Sequence, residues 1–397
     1  MVENTLRRRS VLGLPVAGLA VAGAGQLAGP LVGPAPRAWA GAPAIQKPLP
    51  AEWFVDYGTN AEMRWESVDP HRHLTPQSRL FVRNHTRTPQ IDPASYRLRV
   101  VGDGLADPAG VTLGLADLRR RFRTVEVTSV HECTGNGRSF FDTQQGTKAS
   151  GTPWTLGAVG TVTWEGVRLR DVLRSAGLRA DAVSVQGAGL DDEYVDKGEN
   201  LGRVRRPFPI AKALDDALLA WGANGEPLLP DHGFPLRLVL PGWVGIASIK
   251  WLGELEVSTS ELTSPWNTRW YNIGGPLSVN PVRSAWELPR DALVPAGRPA
   301  VLTGRSWSGA APIARVDVST DGGDTWSAAR LRPAPGPRTE GHGWTRWTHT
   351  WHAPTPGRHE LLARATDLHG RTQPEVAAFN PNGYFFDAVV RHPVTVA

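Results

Sequence analysis

His131-Glu132-Cys133-Thr134-Gly135-Asn136-Gly137-Arg138 is the stretch on which the reading of this chain turns. It contains the only cysteine among 397 residues, so no intrachain disulfide can form. A free cysteine is either a small buried filler or a thiol that does chemistry. Its neighbours point to chemistry: a cation such as Arg138 favours the thiolate, and the glycines let a bound group come close to the backbone. A single thiolate does not make a zinc site, which takes three or four protein ligands. A metal held here would draw most of its coordination from a cofactor.

Toward the amino terminus the chain opens with Arg7-Arg8-Arg9-Ser10-Val11-Leu12, continues through a stretch rich in Ala, Gly, Leu and Val, and reaches Ala38-Trp39-Ala40. Basic, apolar and small-x-small regions in that order make residues 1–40 a secretory signal, and the paired arginines indicate the twin-arginine route. The expected location is periplasmic, cell-surface or extracellular. An uncleaved anchor over Val11 to Gly33 is the competing reading, but Pro15, Pro30 and many glycines make that span weakly apolar, so no stable membrane anchor is expected. The leader carries four arginines and one glutamate, so the net charge of +5 falls to +2 beyond it. That balance gives no reason to expect a nucleic-acid partner.

Toward the carboxyl terminus the texture is strand-rich with short helices. Ser78 to Val82, Tyr96 to Val101, Pro235 to Pro241 and Ile246 to Val257 read as strands, and Leu115 to Phe122 as a helix. Val167 to Ala176 carries apolar residues at helical spacing. Beyond about residue 266, alternating runs such as Ile313 to Ser319 are separated by turns such as Asp321-Gly322-Gly323-Asp324, the pattern of a β-sandwich. A domain boundary is expected between residues 258 and 270.

Several further segments carry a resemblance in consistent order: Phe81-Val82-Arg83-Asn84-His85, Glu132 to Arg138, Trp154 to Gly160, Gly166 to Leu173, Asp231-His232-Gly233-Phe234-Pro235-Leu236-Arg237, Pro241 to Gly245, Ser248-Ile249-Lys250-Trp251, Arg315 to Trp326 and Asn380-Pro381-Asn382-Gly383-Tyr384. Through them the chain resembles the sulfite oxidase family of molybdopterin-dependent oxidoreductases, in particular its haem-free, exported bacterial members. The resemblance implies an α+β, strand-rich fold. A molybdopterin-binding catalytic domain over 41–262 would precede an immunoglobulin-like dimerisation domain over 263–397. It implies molybdenum bound by a pyranopterin dithiolene, oxo ligands and Cys133 as the one protein ligand.

The same resemblance assigns the cofactor to Phe81, Val82, Arg83, Asn84, His85, Asp191, His232, Arg237, Ser248, Ile249 and Lys250. Arg237 and Lys250 are suited to neutralise a phosphate. It places Arg83, Arg138 and Arg391 around a small oxyanion, Trp154 as an aromatic wall and Tyr271 as a hydroxyl beside the metal. His131 reads either as a group behind these or as a satisfied loop histidine. The implied activity is oxidation of sulfite to sulfate.

The sequence holds no Cys-x-x-Cys-His and too few cysteines for an iron–sulfur cluster, so no haem is expected. Electrons are expected to pass to a separate acceptor such as cytochrome c. Gly137 and the stretch 192–206 depart from the animal and plant oxidases. Sulfane sulfur on a carrier protein, methionine sulfoxide and nitrate therefore stand as alternative substrates, and a cofactor-free extracellular binding protein as an alternative of another class.

Overall fold

A computed structural model describes residues 43–332, 334, 340–352 and 354–397, with backbone alone for 340–342. The expected leader over 1–40 lies outside them. Among the described residues no helix is long and apolar enough to cross a membrane.

The first part of the chain is built on two sheets. One runs in the order Arg205–Pro209, Ser184–Gly189, Leu252–Ser258, Leu98–Val101, Val111–Leu113. The other runs Glu226–Pro227, Leu218–Ala223, Val159–Arg168, Thr124–Glu132, Glu340–His342, with Arg237–Val239 also pairing Leu218–Ala223. Leu98, Val100, Val185, Leu219, Leu238, Leu255 and Val257 form a shared core with the helix Leu169–Ser175. Burying each such side chain contributes about 1.5–3 kcal/mol. A small third sheet joins Phe54–Asp56, Asn60–Met63 and Val82–Arg83.

The second part is a sandwich. A four-stranded sheet (Arg283–Trp286, Ala300–Trp307, Thr345–Trp351, Arg330–Arg332) faces a five-stranded one that includes Gly357–Asp367, Ile313–Ser319 and His392–Val396. Val316, Val318, Trp347, Leu361, Ala365 and Val394 fill the space between them. The two parts also share a sheet, because Glu340–His342 pairs in parallel with Val127 to Ser129.

Three local expectations differ from the structure. Of the Ser78 to Val82 segment only Val82 is strand, opening the short strand Val82–Arg83, because the Pro76 carbonyl accepts the N–H groups of Arg79 and Leu80 and turns the chain. The helical spacing from Val167 begins two residues early: Val167 and Arg168 finish a strand, and the helix is Leu169–Ser175. Gly245–Ala247 is a 3-10 turn and Trp251 has φ of 51°, so the expected Ile246 strand starts only at Leu252. That irregular stretch carries Ser248, Ile249 and Lys250 into a cavity.

Candidate functional site

The nine-residue strand Thr124–Glu132 delivers Cys133 at its end, where the Cys133 N–H donates to the Ala158 carbonyl at 2.9 Å. The turn closes through Asn136, whose N–H reaches the Cys133 carbonyl at 2.9 Å and whose side chain donates to Glu132 at 2.9 Å. A Cβ on Gly135 would stand 2.5 Å from Arg138 Nη2, so only glycine lets the guanidinium fold back over the turn. Burial pushes the Cys133 thiol up, while Arg83 and Arg138 pull it the other way. Two cavities meet at this residue.

The first is a groove of about 700 Å³, its open mouth included. Phe81 and Arg83 face it, while Val82 between them turns into the apolar core behind. Arg237 donates to the carbonyls of His232 at 3.0 Å and Ser248 at 3.1 Å, and to His131 Nε2 at 3.2 Å. Lys250 Nζ donates to the Asn84 side chain and, at 2.8 Å, to the Asp231 carbonyl. Burial lowers the Arg237 guanidinium to about 9, and burial with Arg237 nearby takes Lys250 well below its usual range. Such a cationic cluster, short of counter-charge, is suited to an anion. Burial lifts the Asp191 carboxyl to about 6, and its Oδ1 has no hydrogen-bond partner. Arg237 Nε and Thr134 Oγ1 are likewise unpartnered.

The second is a funnel of about 1220 Å³, its open mouth included. Cys133, Arg83, Arg138, Trp154, Tyr271 and Tyr384 line it. Arg83 Nη2 donates to the Tyr271 hydroxyl at 3.3 Å and to His85 Nε2 at 3.1 Å. Trp266 Nε1 donates to the same His85 nitrogen at 2.9 Å. Both partners are donors only, so His85 is neutral with its proton on Nδ1. Burial, the first cause, and the Arg83 charge hold it in that form by lowering its pKa well below the usual histidine range. Arg138 is held by the Asn382 carbonyl at 2.8 Å and the Thr152 carbonyl at 2.7 Å.

Residues 85–266 match the family described as oxidoreductase molybdopterin binding domain, and residues 280–396 match the Mo-co oxidoreductase dimerisation domain. Sulfite oxidase from Gallus gallus is 37% identical over 328 residues, covering 77% of this chain and 69% of that protein. The chain belongs to the sulfite oxidase family. Mitochondrial sulfite oxidase from Homo sapiens is 36% identical over 330 residues, 77% of this chain but 58% of that protein. Nitrate reductase [NAD(P)H] from Hordeum vulgare is 30% identical over 371 residues, 85% of this chain and 41% of that protein. The chain thus spans little more than half of its mammalian relative. The sulfane dehydrogenase SoxCD of Paracoccus pantotrophus has a similar structure, with a TM-score of 0.69 and 27% identity over 83% of this chain and 82% of that one.

As a family member the protein is a molybdenum-molybdopterin oxidoreductase, and the groove fits that cofactor. The free Asp191 oxygen can take an N–H of a pterin edge, while Arg237 Nε and Lys250 suit its phosphate. Among the described residues no three His, Cys, Asp or Glu side chains gather as a ligand set, so Cys133 would be joined at the metal by sulfur from the cofactor.

Phe81, Arg83, Asn84, His85, Cys133, Asp191, His232, Arg237, Ser248, Ile249 and Lys250 all line the groove, and Trp154, Arg138 and Tyr271 the funnel. Two expected residues do not join them. Val82 is fully buried in the core and pairs with Ala61 through its backbone. Arg391 is an exposed cation paired with Glu360 on the sandwich, absent from both cavities. The tail reaches the funnel instead through Asn382 and Tyr384. His131 is not a loop histidine: it is the penultimate residue of a strand, stacks on Phe81 at 5.7 Å and accepts from Arg237. The signal for Tyr384 was the turn-forming Asn380-Pro381-Asn382-Gly383 before it.

Proposed function

We propose that the protein oxidises sulfite to sulfate. The observation that carries this reading is the convergence of the Arg83 and Arg138 guanidiniums and the Tyr271 hydroxyl on the space above Cys133, at the foot of an open funnel. Two fixed cations and a hydroxyl suit a compact dianion. When bound, the molybdenum cofactor supplies the oxygen-atom transfer and the two-electron redox change. The chain's own residues do the rest. Arg83 and Arg138 draw sulfite in and hold its oxygens, leaving the sulfur lone pair free to face the metal. Arg83, braced by neutral His85, orients the Tyr271 hydroxyl. Trp154, buried and edge-on to Phe81 at 6.3 Å, closes one wall against water. The balance is sulfite plus water giving sulfate, two protons and two electrons.

The electrons leave to an external acceptor, for which a cytochrome c is the proposed partner. The matched dimerisation domain supports a homodimer through residues 280–396. The twin-arginine pattern over 1–40 supports export to the periplasm, cell surface or medium. Steady-state turnover of molybdenum-loaded protein with sulfite, nitrate and methionine sulfoxide, using ferricyanide or cytochrome c where electrons must be accepted, tests the reading. Sulfite oxidation should dominate; nitrate or sulfoxide reduction with no sulfite oxidation would overturn it. The likeness to SoxCD supports sulfane sulfur as a second reading, tested in the same assay with a protein-bound persulfide.

A further inference from the structure

Tyr384 comes from the segment between the last two sandwich strands, Gly357–Asp367 and His392–Val396, yet its ring lines the funnel beside Cys133. It stacks on Tyr271 with centroids 5.0 Å apart and planes 17° apart, and the Arg138 guanidinium carbon lies 5.7 Å from its centroid. Only 5% of the residue is exposed.

The backbone that carries the ring is fixed. Asn380 clamps the Tyr384 backbone in both directions, Nδ2 donating to its carbonyl at 2.8 Å and Oδ1 accepting its N–H at 2.9 Å. The next residue ties the segment to the cysteine turn, Phe385 N–H to the Thr134 carbonyl at 3.0 Å, and Ser150 N–H reaches the Pro381 carbonyl at 2.8 Å. Gly383 lies at φ of 57°, and a Cβ there would stand 2.6 Å from Arg138 Cγ and 2.7 Å from Ala149 Cβ. The segment is therefore packed between the substrate arginine and the loop behind it, and Asn382 bonds the same arginine.

We infer that Tyr384 determines substrate size: its immobile ring narrows the foot of the funnel so that a compact tetrahedral oxyanion reaches Arg83, Arg138 and Cys133 while a sulfur oxyanion bearing an organic group does not. A ring on a mobile backbone would yield to a larger ligand; a buried one carried on a clamped backbone, stacked on Tyr271 and flanked by Arg138, does not. The inference rests on the sulfite reading for the identity of the small anion, but the size limit concerns binding and can be read without turnover.

Equilibrium dialysis of sulfate and of benzenesulfonate against molybdenum-loaded wild type, Tyr384→Phe, Tyr384→Leu and Tyr384→Ala tests it, with molybdenum content measured in each. Wild type and Tyr384→Phe should both prefer sulfate, because the ring and not the hydroxyl excludes the larger anion. Tyr384→Ala should shift the ratio of the two dissociation constants toward benzenesulfonate by about tenfold or more, the scale on which a pocket discriminates by volume. Tyr384→Leu should shift it in the same direction, and it carries the comparison if the alanine variant loses molybdenum. An unchanged ratio in loaded Tyr384→Leu, or a wild type that takes both anions equally, would overturn the inference. Absence of sulfite oxidation by a wild type that still discriminates would instead overturn the functional reading alone.

Discussion

The guanidinium of Arg283 stands 3.2 Å from the carboxylate of Glu132, and the two side chains are 4% and 1% exposed. Arg283 belongs to the first strand of the sandwich, and Glu132 immediately precedes Cys133. Arg283 also donates to the Asn136 carbonyl at 2.7 Å, and Trp307, on the next strand of that sheet, donates to Glu132 at 3.1 Å. The cysteine turn is thus anchored from below by the second domain.

Removing one member of that buried pair leaves an uncompensated charge, which costs about 3–5 kcal/mol. Arg283→Ala should lower the unfolding free energy by that order in urea titration. Arg283→Met combined with Glu132→Gln should cost much less, since no buried charge is left alone.

Cys133→Ser keeps the shape of the turn and removes the soft donor. Turnover should fall to background while circular dichroism stays unchanged, and X-ray absorption of the loaded variant should show one sulfur fewer at molybdenum. Retained activity with an unaltered absorption spectrum would refute the ligand assignment.

Arg138 and Arg391 separate cleanly. Loss of a charge-assisted hydrogen bond to a substrate oxyanion costs about 1.5–3 kcal/mol, so Arg138→Ala should lower kcat/KM for sulfite roughly 10- to 150-fold. The effect should lie mainly in KM. Arg391, exposed and paired with Glu360, should be dispensable: Arg391→Ala is expected to leave kcat/KM within about twofold, and the exposed ion pair contributes at most about 1 kcal/mol to stability.

Asp191 gives the cofactor-free protein a pH signature. Its folded pKa of about 6 exceeds the unfolded value near 3.9, so the folded state holds the extra proton between them. The associated stability is fully present below about pH 4 and is lost as pH rises through about 6. Asp191→Asn abolishes that loss. Its stability relative to wild type should therefore rise by about 2–3 kcal/mol from pH 4 to pH 7 in chemical denaturation. A flat difference across that range would contradict the shift.

What the sequence disclosed about this site was local. The turn around Cys133, the cations Arg237 and Lys250, and the alternating strands of the sandwich each announce themselves within ten residues, because a turn residue or an apolar period is a short-range signal. Val82 misled because a matched motif was read as a block, although Phe81 and Arg83 face the groove and Val82 turns into the core. Arg391 misled for another reason. The resemblance nominated it, whereas the approach of the tail to the funnel is fixed by Asn382 and Gly383, whose neighbours Arg138 and Ala149 lie far away in the chain. Lys250 was legible as a cation, but the left-handed residue after it that re-aims the backbone was not.

The bond between Arg138 and the Asn382 carbonyl joins residues 244 positions apart. A growing chain therefore contains the residues of the cysteine turn, the groove and most of the funnel well before the segment that steadies Arg138 exists. Until that segment docks, the substrate arginine lacks one of its two backbone anchors. The arginine's full anchorage therefore waits for nearly the whole chain to be made.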